Sequence, residues 1–304
     1  MTRFIFCVII SLATYSAIAE IPAGYKLSQA TISPNGRYGL LVPNDPSAGD
    51  TELAVVKTSK ILATLTVSEG GYYETESGET SSVWSRDSSL LVWSPSGKWG
   101  PVAVNVLTIH NDQKVSQNKI LKILQDEITT RLKATQPTLY KKVQSAISKS
   151  HAEADGFTVD IHVMPSLDTN SVSFEEGLTS DPNMALTSDL QLQANLKGDI
   201  SSNARIRFGE FRAYTPNDIS KSNKLHDEAL TAENKAYERL FRQLPKAKQG
   251  DLASEETRWK STVNNMSDTI GYSFTGARWL DEETSMYHQR SQILVSRLKH
   301  LPHQ

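Results

Sequence analysis

Hydrophobic and polar positions change rhythm three times along this chain, and each rhythm predicts a different kind of element. Over residues 25–109 the pattern is that of strands. Glu52-Leu-Ala-Val-Val-Lys57 and Ile61-Leu-Ala-Thr-Leu-Thr-Val67 are rich in β-branched residues and stand a hairpin-length gap apart. Residues 69–82 are polar, with Gly70, Gly71 and Gly78, and read as a loop carrying Tyr72 and Tyr73. Ile120, Ile123, Leu124, Ile128 and Leu132 then recur at three- and four-residue spacing, which predicts a helix over 115 to about 134. Gln136-Pro137 breaks it, and Leu139, Tyr140, Val143 and Ile147 mark a second short helix ending near Ser150.

The strand pattern returns in Phe157-Thr-Val-Asp-Ile-His-Val163, with Phe157, Val159, Ile161 and Val163 on one face. Residues 166–188 read as a polar loop. Strands are expected again over 189–196 and 204–212, the latter with a bulge at Gly209. After Tyr214-Thr-Pro-Asn-Asp218 only helical stripes remain. Leu225, Ala229, Ala232, Ala236, Tyr237, Leu240 and Leu244 form one that stops at Pro245. Leu252, Trp259, Val263 and Met266 form a second, and Trp279, Leu280, Met286, Tyr287, Ile293, Leu294 and Leu298 a third. The expected fold is α+β: an antiparallel β-rich N-terminal region with central helices over 20–215, and an antiparallel helical domain over 220–304.

One turn sequence occurs twice. Ser33-Pro-Asn-Gly-Arg-Tyr-Gly39 and Ser94-Pro-Ser-Gly-Lys-Trp-Gly100 share the pattern Ser-Pro-x-Gly-basic-aromatic-Gly, and Trp84-Ser-Arg-Asp-Ser-Ser-Leu-Leu-Val-Trp93 is a degraded third copy. Proline pre-sets φ at the first central position, and Gly36 and Gly97 are expected to take positive φ on re-entering a strand. These turns resemble those between blade strands in propellers of the TolB and prolyl-oligopeptidase type, over residues 25–110 only. A full propeller would continue in strands, so the pattern points to one turn reused within a small, partial propeller-like meander.

Composition narrows the setting. Arg3, an apolar run from Phe4 to Tyr15 and Ala17-Ile-Ala19 before Glu20 read as a secretory signal over residues 1–19, which implies a periplasmic or secreted protein. The one cysteine, Cys7, lies inside that segment, so neither disulfides nor thiol chemistry are expected after cleavage. Loss of Arg3 takes the formal net charge from −2 to −3, which gives no reason to expect nucleic acid or an anionic membrane as partner. No later stretch is apolar enough to span a bilayer.

In the helical region, Asn234, Tyr237 and Leu240, then Trp259, then Arg290 and Leu294 resemble the pattern of the helical family that includes the N-terminal region of the lysozyme inhibitor LprI. Glu256, Thr257 and Val263 depart from it, and the family's cysteines are absent. The resemblance implies a small exported helical domain that binds a protein partner.

Chemistry is sparse. Phosphate-binding glycine motifs and the Gly-x-Ser-x-Gly elbow are missing, and no cofactor is expected. His300 and His303 lie on a terminal tail, and Asp45, Asp50 and Glu52 match no calcium-loop spacing, so no metal site is assigned. The pairs Glu175-Glu176 and Glu282-Glu283 cannot share a proton as neighbours and read as solvated charge. Trp259 and Trp279 fall on apolar stripes and are expected in the core. Arg239, Arg242, Lys246 and Arg258 are left as the candidate binding residues, facing an acidic protein or cell-envelope component. The expected role is non-catalytic binding or envelope maintenance. Lysozyme inhibition and a concealed hydrolase or carbohydrate-active site stay open as alternatives.

Overall fold

The computed structural model describes residues 20–45, 49–66, 80–97, 100–112, 114–149, 157–180, 186–270 and 276–301. The segment over 1–19 expected to be a signal and the stretch with Tyr72 and Tyr73 expected to be a loop lie outside the described residues. The first sheet is an antiparallel meander of β1 (Tyr25–Leu27), β2 (Tyr38–Pro43), β3 (Thr51–Val55) and β4 (Lys60–Leu65). The second contains β5 (Thr80–Trp84), β6 (Leu90–Gly97), β8 (Asn105–Asn111) and β9 (Lys114–Lys119), with β7 (Gly100–Pro101) folding back on the end of β6.

Burial explains why this second sheet lacks clean alternation in sequence. Leu91, Trp93, Leu107 and Ile109 point into a core shared with Tyr38, Leu40, Leu53, Val55 and Leu65 of the first sheet. Leu90, Val92, Val104 and Val106 point the other way, into a larger core. A sheet covered on both faces needs apolar side chains at odd and even positions alike. The first two sheets are also tied by Asp112, which takes a salt bridge from Arg37 and a hydrogen bond from Tyr38 Oη at 3.1 Å.

Strand β9 corrects the helix expected from residue 115. Residues 114–119 pair with β8, Val115 packs against the core between the first two sheets, and the helix α1 begins only at Leu121 (Leu121–Thr135). Helix α2 (Pro137–Lys149) follows the predicted break. The third sheet holds four strands, β10 (Thr158–Pro165), β11 (Ser171–Thr179), β12 (Gln193–Ser201) and β13 (Ile206–Tyr214), again an antiparallel meander. β11 runs through the stretch read as a loop. Its Val172, Phe174 and Leu178 do alternate inward, but the intervening inward position is Glu176, and the adjacent carboxylates disguise the period. The expected bulge is present: Leu196 pairs with Phe211 and Gly198 with Phe208, leaving Gly209 and Glu210 opposite Lys197. Leu124, Ile128 and Leu132 of α1 and Tyr140 and Val143 of α2 close the core of this sheet.

The repeated turn is real but differently placed. Gly36 has φ +69, as expected, whereas Gly97 lies in β6 paired with Gly100, and it is Gly100 that has φ +130. The structural twin of the first turn is the degraded copy. Ser33 Oγ donates to Asn35 Oδ1 and accepts from Tyr38 N–H, and Ser85 Oγ donates to Asp87 Oδ1 and accepts from Leu90 N–H. Ser88, with φ +63, occupies the place of Gly36. The two turns touch, since Asn35 N–H donates to Ser88 Oγ at 3.1 Å.

Three helices complete the described chain: α3 (Pro216–Gln243), α4 (Lys246–Ile270) and α5 (Gly276–Lys299). α3 starts directly after β13 on a capping box, in which Thr215 Oγ1 accepts from Asp218 N–H and Asp218 Oδ2 accepts from Thr215 N–H. Ala236, Leu240, Leu252 and Leu294 form the apolar core where the three helices meet. None of the described helices is long and apolar enough to cross a membrane.

Candidate functional site

Each of the last three helices carries one charged residue inside its buried stripe. On α3 the buried positions are Ile219, Ser222, Ala229, Glu233, Ala236 and Leu240, so Glu233 falls where a helical period demands an inward residue. Leu225 and Ala232, expected on this stripe, are exposed instead. On α4 the inward row is Leu252, Glu256 and Val263, and on α5 it is Tyr287, Arg290 and Leu294. Glu233, Glu256 and Arg290 are 0%, 4% and 6% exposed.

The three form one polar layer. Arg290 Nε and Nη2 donate to Glu256 Oε2 at 3.2 and 2.9 Å, while its Nη1 donates to Glu255 Oε1 at 2.8 Å. Arg297 also holds Glu255, at 2.8 Å, and keeps that carboxyl below its ordinary range together with Arg290. Lys260 Nζ stands 3.4 Å from Glu256 Oε1 and donates to Asn234 Oδ1 at 3.2 Å. Neither oxygen of Glu233 has a donor from the protein. Burial first, and then the neighbouring Glu256, push the Glu233 carboxyl up. Protonated, Glu233 can donate to Glu256, so two carboxyls on different helices share what two neighbours on one strand cannot.

Aromatic rings frame the layer. The Arg290 guanidinium lies 5.5 Å from the Trp259 ring centre, Trp259 meets Tyr287 edge-on at 5.3 Å, and Tyr287 meets His226 at 5.6 Å. His226 Nε2 is 3.2 Å from Glu283 Oε2. Trp279 is buried as expected, but Trp259 is only half-buried, with Arg290 over its ring. Residues picked out by the helical sequence pattern therefore do converge: Trp259 with Arg290, and Leu240 with Leu294.

A second polar cluster sits on the outer face of the third sheet and corrects the solvated reading of Glu175-Glu176. Glu175 and Glu176 are 4% and 0% exposed, because both lie mid-strand in a covered sheet. Glu175 accepts from Arg278 Nε at 3.0 Å and from Asn195 Nδ2 at 3.2 Å, with Lys197 at 3.8 Å. Arg278 also pairs with Glu282. Ala277 N–H donates to Gln193 Oε1 at 3.0 Å, so the start of α5 is fastened to this sheet. Glu176 faces the opposite way, into the apolar core, with neither oxygen hydrogen-bonded, and burial followed by the nearby Glu127 pushes it up to about 8.

Arg239, Arg242, Lys246 and Arg258 are all exposed. Arg239 and Arg242 share one face of α3 and lead to Lys246 at the head of α4. Arg258 does not join them: twelve residues along α4 put it about 18 Å beyond Lys246 and roughly 120° around the helix. Among the described residues no group of three or more His, Cys, Asp or Glu side chains is placed to hold a metal ion. A depression of about 480 Å³ beside α2, lined by residues including Lys141, Gln144, Ser145 and Phe157, contains none of the buried carboxylates.

No family model matches the chain, and no curated protein does. Among solved structures, the β-propeller domain of Nup133 from Vanderwaltozyma polyspora is similar at a TM-score of 0.30 and 7% identity, over 64% of this chain and 47% of that one. The chain thus spans about half the length of that domain, and the likeness to a β-propeller is weak and partial.

Proposed function

We propose that this is an exported, non-catalytic binding protein of the cell envelope whose helical region, residues 220–304, carries the binding surface. The observation behind the reading is how charge is sorted in that region. Glu256 and Glu255 are turned toward Arg290, Arg297 and Lys260 and are matched there, whereas Arg239, Arg242, Lys246 and Arg258 remain outside. Ion pairs turned inward among the helices leave few opposite charges on the outer surface for these cations, which are available to an acidic surface. Lysozyme inhibition ranks lower, since such enzymes are commonly basic and those cations would repel them.

The test compares the mature chain with a variant carrying Arg239→Glu, Arg242→Glu, Lys246→Glu and Arg258→Glu, for retention on purified envelope fractions and for inhibition of a panel of lysozymes. Retention by the parent and its loss in the variant, at equal melting temperature, is the expected result. Equal retention of both would remove the helical surface from the reading, and strong lysozyme inhibition would reverse the ranking.

A further inference from the structure

We propose that the outer face of α3, with the turn after it, is a docking surface for the acidic face of a helical segment of a partner protein. This rests on the binding role proposed above and gives that role a partner chemistry. Lys235, Arg239 and Arg242 are spaced by four and then three residues, which places them in one row along α3. Lys246 and Lys248 continue the positive charge into the first turn of α4. All five are exposed, and among the described residues Lys235, Arg239, Lys246 and Lys248 have no ion pair. Arg242 has only Glu238, at 3.2 Å, in an exposed pair of small energetic weight.

The row is held in place. Leu240 and Ala236 bury the opposite side of α3, and Gln249 Nε2 donates to the carbonyls of Phe241 and Leu244 at 3.1 and 3.0 Å, fixing the turn that carries the two lysines. The backbone under these cations therefore loses little freedom on binding, and the cost falls on the exposed side chains. From Lys235 to Arg242 the span is about 10 Å at helical rise. Carboxylates at positions i, i+4 and i+7 of a partner helix repeat that spacing, and guanidinium groups pair with carboxylates through two parallel hydrogen bonds.

The same face argues against two other anionic partners. A bilayer surface gains from inserted large apolar side chains beside the cations, and the exposed residues around this row are Thr231, Ala232, Glu238, Gln243, Pro245 and Ala247, none of them large and apolar. A uniformly charged polyphosphate meets Glu238 within the row and is repelled there, whereas a peptide can place a neutral or basic residue opposite it.

The experiment titrates the full mature chain with a synthetic helical peptide bearing glutamates at i, i+4 and i+7. A twin of identical composition has the glutamates dispersed around the helix. Sodium polyphosphate and phosphatidylglycerol vesicles are run in parallel. The striped peptide is expected to bind at least about tenfold more tightly than its twin and to weaken steeply as salt shortens the screening length. Lys235→Glu, Arg239→Glu, Arg242→Glu and Lys246→Glu together should abolish binding. An equal charge change at Arg86, Lys119, Lys141 and Lys142 should leave it unchanged, with melting temperature checked in both. Equal binding of the twin, or tighter binding of polyphosphate or vesicles, overturns the inference. If the peptide fails but envelope retention still depends on Arg239, Arg242 and Lys246, the partner chemistry alone is wrong. If retention ignores these residues, both readings fall.

Discussion

Glu176 is an acid in a hydrocarbon setting, between Phe174 and Leu178 on its own strand and opposite Ile161 and Leu196 on its neighbours. With no donor at either oxygen, its charged form is disfavoured and its proton is held up to about 8, against an ordinary 4.5. Asp160 is raised in the same direction, to about 6, and burial also raises Glu233. A raised carboxyl binds its proton more tightly in the folded state, so the stability it contributes is whole below about 4.5 and is lost as pH climbs through the folded value. Asp87, Asp112, Asp218 and Glu255 are lowered by hydrogen bonds or ion pairs, and their contribution is lost instead as pH falls below the ordinary carboxylate range. The fold is therefore expected to be most stable in mildly acidic solution. Unfolding free energies from denaturant titrations should decline from about pH 5 to 9, by an amount on the order of 4 kcal/mol for Glu176. Glu176→Gln should make that slope distinctly shallower, leaving the part due to Asp160 and Glu233, and parallel curves for parent and variant would contradict the assignment.

Among the elements, the turns show best what sequence displays and what it hides. Proline and glycine drew attention to residues 94–100, yet the turn at 85–90 matches the one at 33–38 bond for bond. What these turns require is a serine hydroxyl two residues before an Asn or Asp, and then a residue able to take positive φ. Ser201, Asn203 and Ala204, with φ +58, supply the same chemistry at the β12–β13 turn. Gly100 answers a different need. A Cβ there would sit 2.3 Å from the carbonyl oxygen of Val159, where β7 passes close to β10, while one on Gly36 would meet nothing within 4 Å. Gly36→Ala should cost only the backbone strain, about 1 kcal/mol, and Gly100→Ala distinctly more, about 2 kcal/mol or above. Thermal melts that rank the two in the opposite order would show that β7 and β10 do not approach this closely. Strand β11 was illegible for a related reason. Periodicity registers a side chain by its usual environment, and Glu176 occupies an inward position that its chemistry does not announce.

At the scale of the molecule, the succession of strands, two helices, strands and three helices is legible in the sequence because each part keeps one period for long enough. The polar layer is not. Glu233, Glu256 and Arg290 are separated by more than twenty residues at each step, and only the packing of three helices brings them to one level. The boundary of the helical part also needs the structure. Residue 220 lies inside α3, past the capping box of Thr215 and Asp218 and past Ile219, which packs with Tyr214 and Ala277. We propose that this part folds as a unit of its own, and the choice of starting residue then becomes measurable. A fragment of residues 214–304 keeps the cap and the Tyr214 contact, and a fragment of residues 220–304 loses both. Loss of an N-cap costs about 1 kcal/mol, and uncovering a buried aromatic adds to it. Both fragments forfeit the Arg278–Glu175 pair to the third sheet. The longer fragment should therefore melt cooperatively and several degrees above the shorter one in circular dichroism. If neither melts cooperatively, the helices depend on the third sheet, and Glu175→Ala in the full chain should then lower the melting temperature of the helical signal and of the sheet together.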